Sequence, residues 1–201
     1  MELDRINGNN LWKEALEKEI GQLLDYETFR ILPRGERAPN KYTRVPLIIF
    51  FDVKHDGCHK ARQVARGHVT DPGTAEVYSS VVSPEGVREI IFIANHNGLT
   101  VWGGDVGNAY LEGYTREKVF TILGQEYGPD LAGRLAIISK GLYGLKTSGA
   151  RWSEHLADTL RSLGWTRCNA LNDVWMCDCK SHYEYVAVYS DDIIVASKDP
   201  K

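Results

Sequence analysis

The chain has 201 residues, 43% of them hydrophobic and 25% charged, with a formal net charge of −3 at pH 7. This is the composition of an ordinary soluble globular protein that can bury a sizeable core. No run of about eighteen apolar residues marks a membrane span, and the first residues are not a signal peptide. Because the overall charge is slightly negative, a nucleic-acid partner would need locally clustered basic residues.

The cysteines indicate a reducing compartment, because four of them in a chain of this length do not form a disulfide framework. Cys177, Cys179 and His182 lie close together in the sequence and are residue types that bind zinc. They lack the paired Cys-x-x-Cys motifs of structural zinc sites, so the spacing alone does not predict one.

The first predicted element is an amphipathic helix over residues 11–24, for which Asn9 or Asn10 supplies the N-terminal cap. Its apolar face has helical spacing and consists of Trp12, Leu16, Ile20, Leu23 and Leu24. We interpret this face as a docking surface with no chemistry of its own. A short strand follows over residues 29–32.

A hairpin is predicted over residues 45–66, because an apolar run leads to the turn signal Asp-Gly at residues 56–57. On its return strand, Lys60, Arg62 and Arg66 have even spacings and therefore point to one face. A basic face suits a triphosphate or a nucleic-acid backbone, since both need several converging positive charges. An ordinary solvated face accounts for the same pattern.

A second helix is predicted over residues 83–97, with Ser83 as its cap. Its buried stripe contains Val87, Ile90, Ile91 and Ala94. The next strand, over residues 99–103, leads to Asp105, whose flanking glycines allow close backbone approach. Asp105 is therefore a carboxylate at a strand end, although Asp near Gly is also typical of a simple turn.

Two further strands are predicted over residues 118–123 and 135–139, and the second leads into the segment GLYGLK at residues 141–146. A helix from about residue 150 to 163 follows. Its inward-facing residues are Leu156, Leu160 and Leu163. Lys146 lies just before this helix and adds positive charge where a helix N-terminus already favours anions.

The last predicted element is a hairpin over residues 186–196 with Ser190, Asp191 and Asp192 at its tip. Two adjacent carboxylates repel each other, and a protein that places them together usually supplies a cation. A polar turn that binds nothing is the alternative, because Asp is common in turns. A third carboxylate on a separate element favours the metal site, and Asp105 provides it.

Together these elements indicate nucleotidyl transfer. In-line displacement at phosphorus uses two metal ions about 4 Å apart, held by carboxylates from different elements. Magnesium prefers oxygen ligands, which Asp105, Asp191 and Asp192 would supply. The residues that could neutralise a triphosphate are Lys60, Arg62, Arg66 and Lys146.

Four short motifs then point to a family. They are KARQVARG at residues 60–67, DVGNAYLEG at 105–113, GLYGLK at 141–146 and YSDD at 189–192. Each motif is weak by itself, but their order and separations are specific. Over roughly residues 12–198, the chain resembles the reverse transcriptases of Ty1/copia-type retrotransposons.

The resemblance implies an α+β fold: a right-hand polymerase with fingers and palm, an antiparallel sheet with helices packed on one face, and no thumb. Residues 1–201 would form one truncated reverse transcriptase domain. Its fingers-like part would span about residues 25–100 and its palm-like part about residues 100–201.

The resemblance also implies an RNA-directed DNA polymerase that adds dNTPs to a primer on an RNA or DNA template. The cofactor would be two Mg²⁺ ions, with Mn²⁺ as a substitute. Asp105 and Asp191 would be the principal metal ligands and Asp192 the third carboxylate. The backbone carbonyl of Val106 would reach a metal as well.

Substrate-binding residues follow from the same resemblance. Lys60 and Arg62 would cover the incoming triphosphate, and Arg66 would lie closer to the template strand. Tyr110 would lie under the sugar and exclude a 2′-hydroxyl by steric clash. The turn from Tyr143 to Lys146 would shape the nucleotide pocket and hold the template.

The chain departs from the family pattern at several positions. Ser190 stands where Val is usual, Gln63 where Leu is usual, and residues 147–149 read Thr-Ser-Gly where Gln-Ser-Pro is usual. The segment over residues 68–76 lacks the Gln and Gly-x-Asp-Tyr pattern of the family. These changes spare the metal ligands and affect the nucleotide pocket and the template path.

The sequence ends soon after Asp192, so we expect the thumb and the ribonuclease H domain of an intact polyprotein to be missing. One alternative to an active polymerase is an inactive retrotransposon remnant that folds and at most binds nucleic acid weakly. Another is a different palm-like nucleotidyl enzyme such as a cyclase, which would not explain Tyr110 or the basic hairpin. For an intact element, the resemblance implies cytoplasmic virus-like particles as the location.

Overall fold

The computed structural model describes residues 2–71 and 76–199 and has an α+β architecture of mainly antiparallel sheets and helices. Its α-helices are α1 Glu2–Asn7, α2 Leu11–Asp25, α3 Pro84–His96, α4 Ala109–Glu112 and α5 Ser148–Ser162. Its strands are β1 Phe29–Ile31, β2 Thr43–Arg44, β3 Leu47–Val53, β4 His59–Ala65, β5 Thr100–Asp105, β6 Val119–Ile122, β7 Leu135–Ile138, β8 Thr166–Arg167, β9 Val174–Asp178, β10 Tyr183–Tyr189 and β11 Asp192–Ser197. The family departure over residues 68–76 falls partly outside the described residues, which omit 72–75. No helix in the described part is both long and apolar enough to cross a membrane.

The chain forms two compact units, and each is assembled from two separate stretches of sequence. Unit 1 comprises Met1–Val77 and Tyr110–Arg151, and unit 2 comprises Tyr78–Ala109 and Trp152–Lys201. Pairing between distant strands joins the separate stretches, because β1 pairs with β7 in unit 1 and β5 pairs with β11 in unit 2.

Unit 1 combines a four-stranded sheet, ordered β1–β7–β6–β2, with the hairpin β3–β4. The hairpin is the one predicted from the Asp-Gly turn signal, and its register pairs Leu47 with Ala65 and Val53 with His59. Helix α2 packs against β4 and contributes Ile20 and Leu23 to the core of the unit.

A buried polar network lies where α2 meets β4. The Gln63 side chain is fully buried, and its amide group donates to Glu126 Oε1 at 3.3 Å. The Tyr127 hydroxyl donates to Gln63 Oε1, and the backbone N–H of Gln63 donates to Glu19 Oε1 at 2.7 Å. Burial raises the pKa of the Glu19 carboxyl, although the Gln63 N–H and nearby basic charges oppose this. Gln63 therefore has a structural role at a position where the resembled family usually has Leu.

Unit 2 is built on one antiparallel sheet of five strands, ordered β5–β11–β10–β9–β8. Helix α3 covers one face, where Ile90 packs in a cluster with Ala187. Helix α5 covers the other face, where Leu160 packs with Val186. The expectation of helices on one face is therefore wrong for this sheet. The reason lies in the sequence, because residues 193–196 are all apolar. Their side chains point to both faces of the sheet, so both faces need a packing partner.

The helix ends show which capping predictions hold. Ser83 caps α3 as predicted, because its hydroxyl accepts a backbone hydrogen bond from the first turn at 3.1 Å. Asn10 occupies the cap position of α2, but its side chain makes no capping hydrogen bond. Asn9, the other predicted cap, accepts from the Leu11 N–H at 3.4 Å, and the buried Asp4 of α1 accepts from the N–H groups of Trp12 and Lys13 at 3.0 and 2.9 Å.

Three residues predicted to lie on the apolar faces of their helices are exposed: Leu24 by 36%, Ile91 by 47% and Leu163 by 66%. Successive helical residues point about 100° apart, so two neighbours cannot both face the core squarely. Leu23 and Ile90 take the buried positions beside Leu24 and Ile91. Leu163 lies beyond the last residue of α5.

The tip of the β10–β11 hairpin is one residue shorter than predicted. Tyr189 pairs with Asp192, so the turn consists of Ser190 and Asp191, and Asp192 belongs to the strand. Ser190 has a φ of +57°, in the left-handed region. Glycine is the usual first residue of such a turn, because side chains with a Cβ are strained there.

We expect Gln63→Leu, which restores the usual residue of the family, to lower the free energy of unfolding by about 1–3 kcal/mol. The buried Tyr127 hydroxyl and the half-buried Glu126 would each lose a hydrogen-bond partner. Chemical denaturation measures the change. Gln125→Leu, the same substitution at an exposed site, is the matched control and should be near neutral. An equal loss in both variants would contradict the role of the network.

We expect Ser190→Val to lower the free energy of unfolding by about 1 kcal/mol or more, because a β-branched residue is poorly tolerated at positive φ. Ser190→Gly should leave stability unchanged or raise it slightly. Thermal unfolding followed by circular dichroism compares the two variants. A destabilised glycine variant with an unaffected valine variant would mean that the turn does not have this conformation.

Candidate active site

The three predicted metal ligands lie together at one end of the sheet in unit 2. Asp105, the last residue of β5, pairs directly with Asp192, the first residue of β11. Directly opposed residues in an antiparallel pair project to the same face, with Cβ atoms about 5 Å apart. Asp191 precedes Asp192 in the turn, and its carbonyl accepts a hydrogen bond from the Val106 N–H at 2.8 Å. The register of β5 and β11 thus places Asp105 opposite Asp192, and Asp191 is the next residue in the turn.

A buried tryptophan fixes the turn that carries Asp191. Trp152, in the first half of α5, is 4% exposed, and its indole N–H donates to the Ser190 carbonyl at 2.8 Å. Trp152 was not among the site residues predicted from the sequence. The only signal for it was a large aromatic residue near the start of a helix, which the core of the protein explains equally well.

The electrostatics of the three aspartates favour a cation. Asp105 and Asp192 are exposed and Asp191 is half-buried. Like charges directly opposite each other destabilise a sheet, so the Asp105–Asp192 pair opposes folding unless positive charge offsets it. Their ligand atoms do not converge on a point. Within residues 2–71 and 76–199, the three side chains whose ligand atoms all lie within 4.8 Å of one another are Cys179, His182 and Glu184.

The basic strand of unit 1 has the predicted two-sided pattern. On β4, Lys60 and Arg62 are exposed, while Gln63 and its even-spaced neighbours on the other face are buried. Arg66 lies just beyond the strand and is also exposed, with its N–H bound to the Pro46 carbonyl at 2.9 Å. The three basic residues therefore present positive charge away from the core.

Two aromatic rings extend from this basic surface. The guanidinium carbon of Arg62 lies 4.5 Å from the centroid of the Tyr143 ring, a cation–π contact. The ring of Tyr143 in turn lies 4.9 Å from that of Tyr110, with planes tilted by 57°. Arg62, Tyr143 and Tyr110, which come from three separate motifs, thus form one contiguous row within unit 1.

Glycines allow the segment at residues 141–146 to lie directly against the end of β4. A Cβ at Gly67 would overlap the Gly144 carbonyl, and one at Gly144 would overlap the Ala65 carbonyl. The Ala65 N–H donates to the Tyr143 carbonyl at 2.7 Å. The two motifs therefore form a single backbone unit that fixes the Tyr143 ring beside Arg62.

Lys146 and its neighbour Thr147 are both engaged by hydrogen bonds. Lys146 is exposed, and its ammonium group donates a hydrogen bond to the Thr70 carbonyl at 2.6 Å. This bond joins the segment at residues 141–146 to the loop after β4. Thr147 is fully buried, and its N–H and hydroxyl donate to Glu117 Oε1 at 3.0 and 2.8 Å. The departure from the family pattern at residue 147 is thus accommodated by Glu117, a partner that the sequence did not reveal.

Comparison with known proteins identifies the family. A family model described as reverse transcriptase (RNA-dependent DNA polymerase) matches residues 26–201. The chain is 31% identical over 193 residues to the truncated transposon Ty1-A Gag-Pol polyprotein of Saccharomyces cerevisiae, and equally to the transposon Ty1-NL2 Gag-Pol polyprotein of the same organism. Each alignment covers 92% of this chain, but only 15% and 10% of the two relatives. The chain therefore belongs to the reverse transcriptase family, and within it to the Ty1/copia retrotransposon type.

Proposed function

We propose that the chain carries the catalytic residues of an RNA-directed DNA polymerase, which adds dNTPs to a primer on an RNA or DNA template. The observation that carries the proposal is the register pairing of Asp105 with Asp192, next to Asp191 in a turn bonded to the Val106 N–H. Membership of the reverse transcriptase family supports the same chemistry.

The donor set fits Mg²⁺, with Mn²⁺ as a substitute. Asp105, Asp191 and Asp192 offer only carboxylate oxygens, the ligands that hard divalent cations prefer. Asp105 and Asp191 are the principal ligands in this proposal, with Asp192 and the Val106 carbonyl as further donors. When bound, two such ions would activate the primer 3′-hydroxyl and stabilise the charge on the leaving pyrophosphate. The protein holds the carboxylates in place through the β5–β11 register and through Trp152.

Unit 1 supplies the groups that bind the nucleotide and template. Lys60 and Arg62 bind the triphosphate, because their charges are exposed on one face of β4. Arg66 binds the template backbone. Tyr110 lies under the sugar and excludes the 2′-hydroxyl, while the turn from Tyr143 to Lys146 shapes the pocket. The contact between Arg62 and Tyr143 supports a shared role in orienting the base and triphosphate.

In the terms of a right-hand polymerase, we propose that unit 2, which carries the three carboxylates, is palm-like, and that the basic hairpin of unit 1 is fingers-like. Protease, integrase and other activities of a Gag-Pol polyprotein are not proposed for this chain, because it spans 15% or less of the relatives that it matches.

A second candidate function is nucleic-acid binding without polymerisation. The exposed basic face of β4 favours it, because several converging positive charges suit a nucleic-acid backbone. Two results together would favour this function over catalysis. The affinity for a nucleic-acid duplex would fall steeply with salt, and primer extension would be no greater than that of an Asp191→Asn variant.

We expect Asp191→Asn to reduce Mg²⁺-dependent primer extension on an RNA template by about 1,000-fold or more, because losing a metal ligand removes several kcal/mol of transition-state stabilisation. Asp158→Asn is the matched control. It removes only an exposed pair with Arg161 on α5 in the same unit, which contributes little. Extension by the wild-type chain that equals that of Asp191→Asn would refute polymerase activity for this chain.

We expect Tyr110→Ala to lower the preference for dNTPs over rNTPs by about 10-fold or more, because it removes the ring that blocks the 2′-hydroxyl. Single-nucleotide incorporation with each substrate measures the ratio. Tyr114→Ala serves as the control, since that tyrosine is 68% exposed and packs on Lys140 rather than on Tyr143. An unchanged ratio in Tyr110→Ala would remove the sugar-selecting role.

A further inference from the structure

A second cluster of residue types that can bind metals lies at the opposite end of β10 from Asp191. The strands β9 and β10 form a hairpin in which Cys177 pairs directly with Glu184. At the turn, the Cys179 N–H donates to the His182 carbonyl at 3.0 Å, so these two residues also lie opposite each other. Because residues two apart on a strand share a face, all four side chains project to the same side of the hairpin.

The side chains converge as this register requires. Ligand atoms of Cys179, His182 and Glu184 all lie within 4.8 Å of one another. Cys177, which pairs with Glu184 on the same face of the hairpin, lies beside this group, with its sulfur outside the 4.8 Å limit. None of the four is fully exposed, and the side chains of His182 and Glu184 are only 18% and 19% exposed.

Neighbouring groups orient the histidine and the carboxylate. Glu184 Oε1 accepts hydrogen bonds from the Ser197 hydroxyl at 2.6 Å and from the Lys198 N–H at 3.1 Å. The same oxygen lies 3.3 Å from His182 Nε2, and Ser181 Oγ lies 3.0 Å from His182 Nδ1. The contacts from Ser181, Ser197 and Lys198 are of the kind that fixes the direction of ligands in metal sites.

We propose that Cys179, His182 and Glu184, with Cys177 as the fourth ligand, form a structural site for Zn²⁺ or a similar borderline-soft divalent cation. Two sulfurs, one imidazole nitrogen and one carboxylate oxygen make up a four-coordinate zinc donor set. Mg²⁺ does not suit it, because that ion requires oxygen ligands. The site is separate from the three aspartates and does not depend on the proposed polymerase function.

The spacing of ligands explains why the sequence did not predict this site. Zinc sites are usually recognised by Cys-x-x-Cys pairs, whereas here each strand contributes residues two apart, Cys177 with Cys179 and His182 with Glu184. Glu184 enters the cluster only through cross-strand pairing. A bound ion would join β9 to β10, the strand that leads into the Ser190–Asp191 turn.

The test uses the full chain, stripped of metal with a chelator and then titrated with Zn²⁺ in competition with a chromophoric chelator. Co²⁺ serves as a spectroscopic probe, because thiolate ligation produces sulfur-to-cobalt charge-transfer absorption. We expect binding of a single equivalent, the cobalt thiolate spectrum, and a higher melting temperature with Zn²⁺. Excess Mg²⁺ should not displace the ion.

Variants then locate the ion. Cys179→Ser should weaken Zn²⁺ affinity by at least about 100-fold, and Ser197→Ala, which only orients Glu184, by about 10-fold. Cys58→Ser, an exposed cysteine in unit 1, is the matched control and should bind Zn²⁺ like the wild type. Asp191→Asn should also keep its zinc, which separates this site from the polymerase proposal.

Two results would overturn the proposal. One is a cobalt spectrum of the wild-type chain without thiolate charge transfer. This result does not depend on whether the Cys179→Ser variant folds. The other is loss of Zn²⁺ binding in Cys58→Ser with normal binding in Cys179→Ser, which would place the ion in unit 1.

Discussion

The site in unit 2 depends on the register between β5 and β11. Asp105 meets Asp192 only in this register, and a slip of one residue would turn one of them to the opposite face of the sheet. The register is held by packing, since Ile194 lies against the α3 cluster and Ile193 against the α5 cluster. A slip of one residue would exchange Ile193 and Ile194 between the two clusters and so disrupt the packing on both faces of the sheet. The hydrophobic core thus offsets the repulsion of the paired carboxylates.

Unit 1 depends on a different constraint, the close approach of two backbones. The contact between the end of β4 and the segment at residues 141–146 leaves no room for a Cβ at Gly67 or Gly144. The motifs at residues 60–67 and 141–146 are far apart in the sequence but form one structural unit. This contact places Tyr143 against Arg62, so the basic strand and the aromatic row that extends to Tyr110 have fixed positions relative to each other.

Local patterns predicted most of the elements, and long-range contacts account for what was missed. Turn chemistry and alternation identified the β3–β4 and β10–β11 hairpins, and the cap at Ser83 marked the start of α3. The same patterns cannot show that Trp152 binds the Ser190 carbonyl or that Glu117 binds Thr147, because both pairs are far apart in sequence. The continuous apolar run of β11 indicated that helices would cover both faces of the unit 2 sheet. That prediction was missed, because antiparallel strands usually alternate apolar and polar residues and bury one face only.

The two ends of β10 differ in the ions that they favour. At one end, the neighbouring aspartates offer exposed carboxylate oxygens, which suit a hard ion that keeps part of its water shell and is shared with substrate phosphates. At the other end, Cys179 and His182 offer sulfur and nitrogen in a partly buried cluster, which suits an ion that gives up its water and stays in place. The ligand atoms at each end of β10 can therefore select different cations, although the two sites do not touch each other. A structural ion at the β9–β10 turn would restrain β10 from the end opposite the proposed polymerase site, and would leave the Ser190–Asp191 turn to be held by Trp152 and the Val106 N–H.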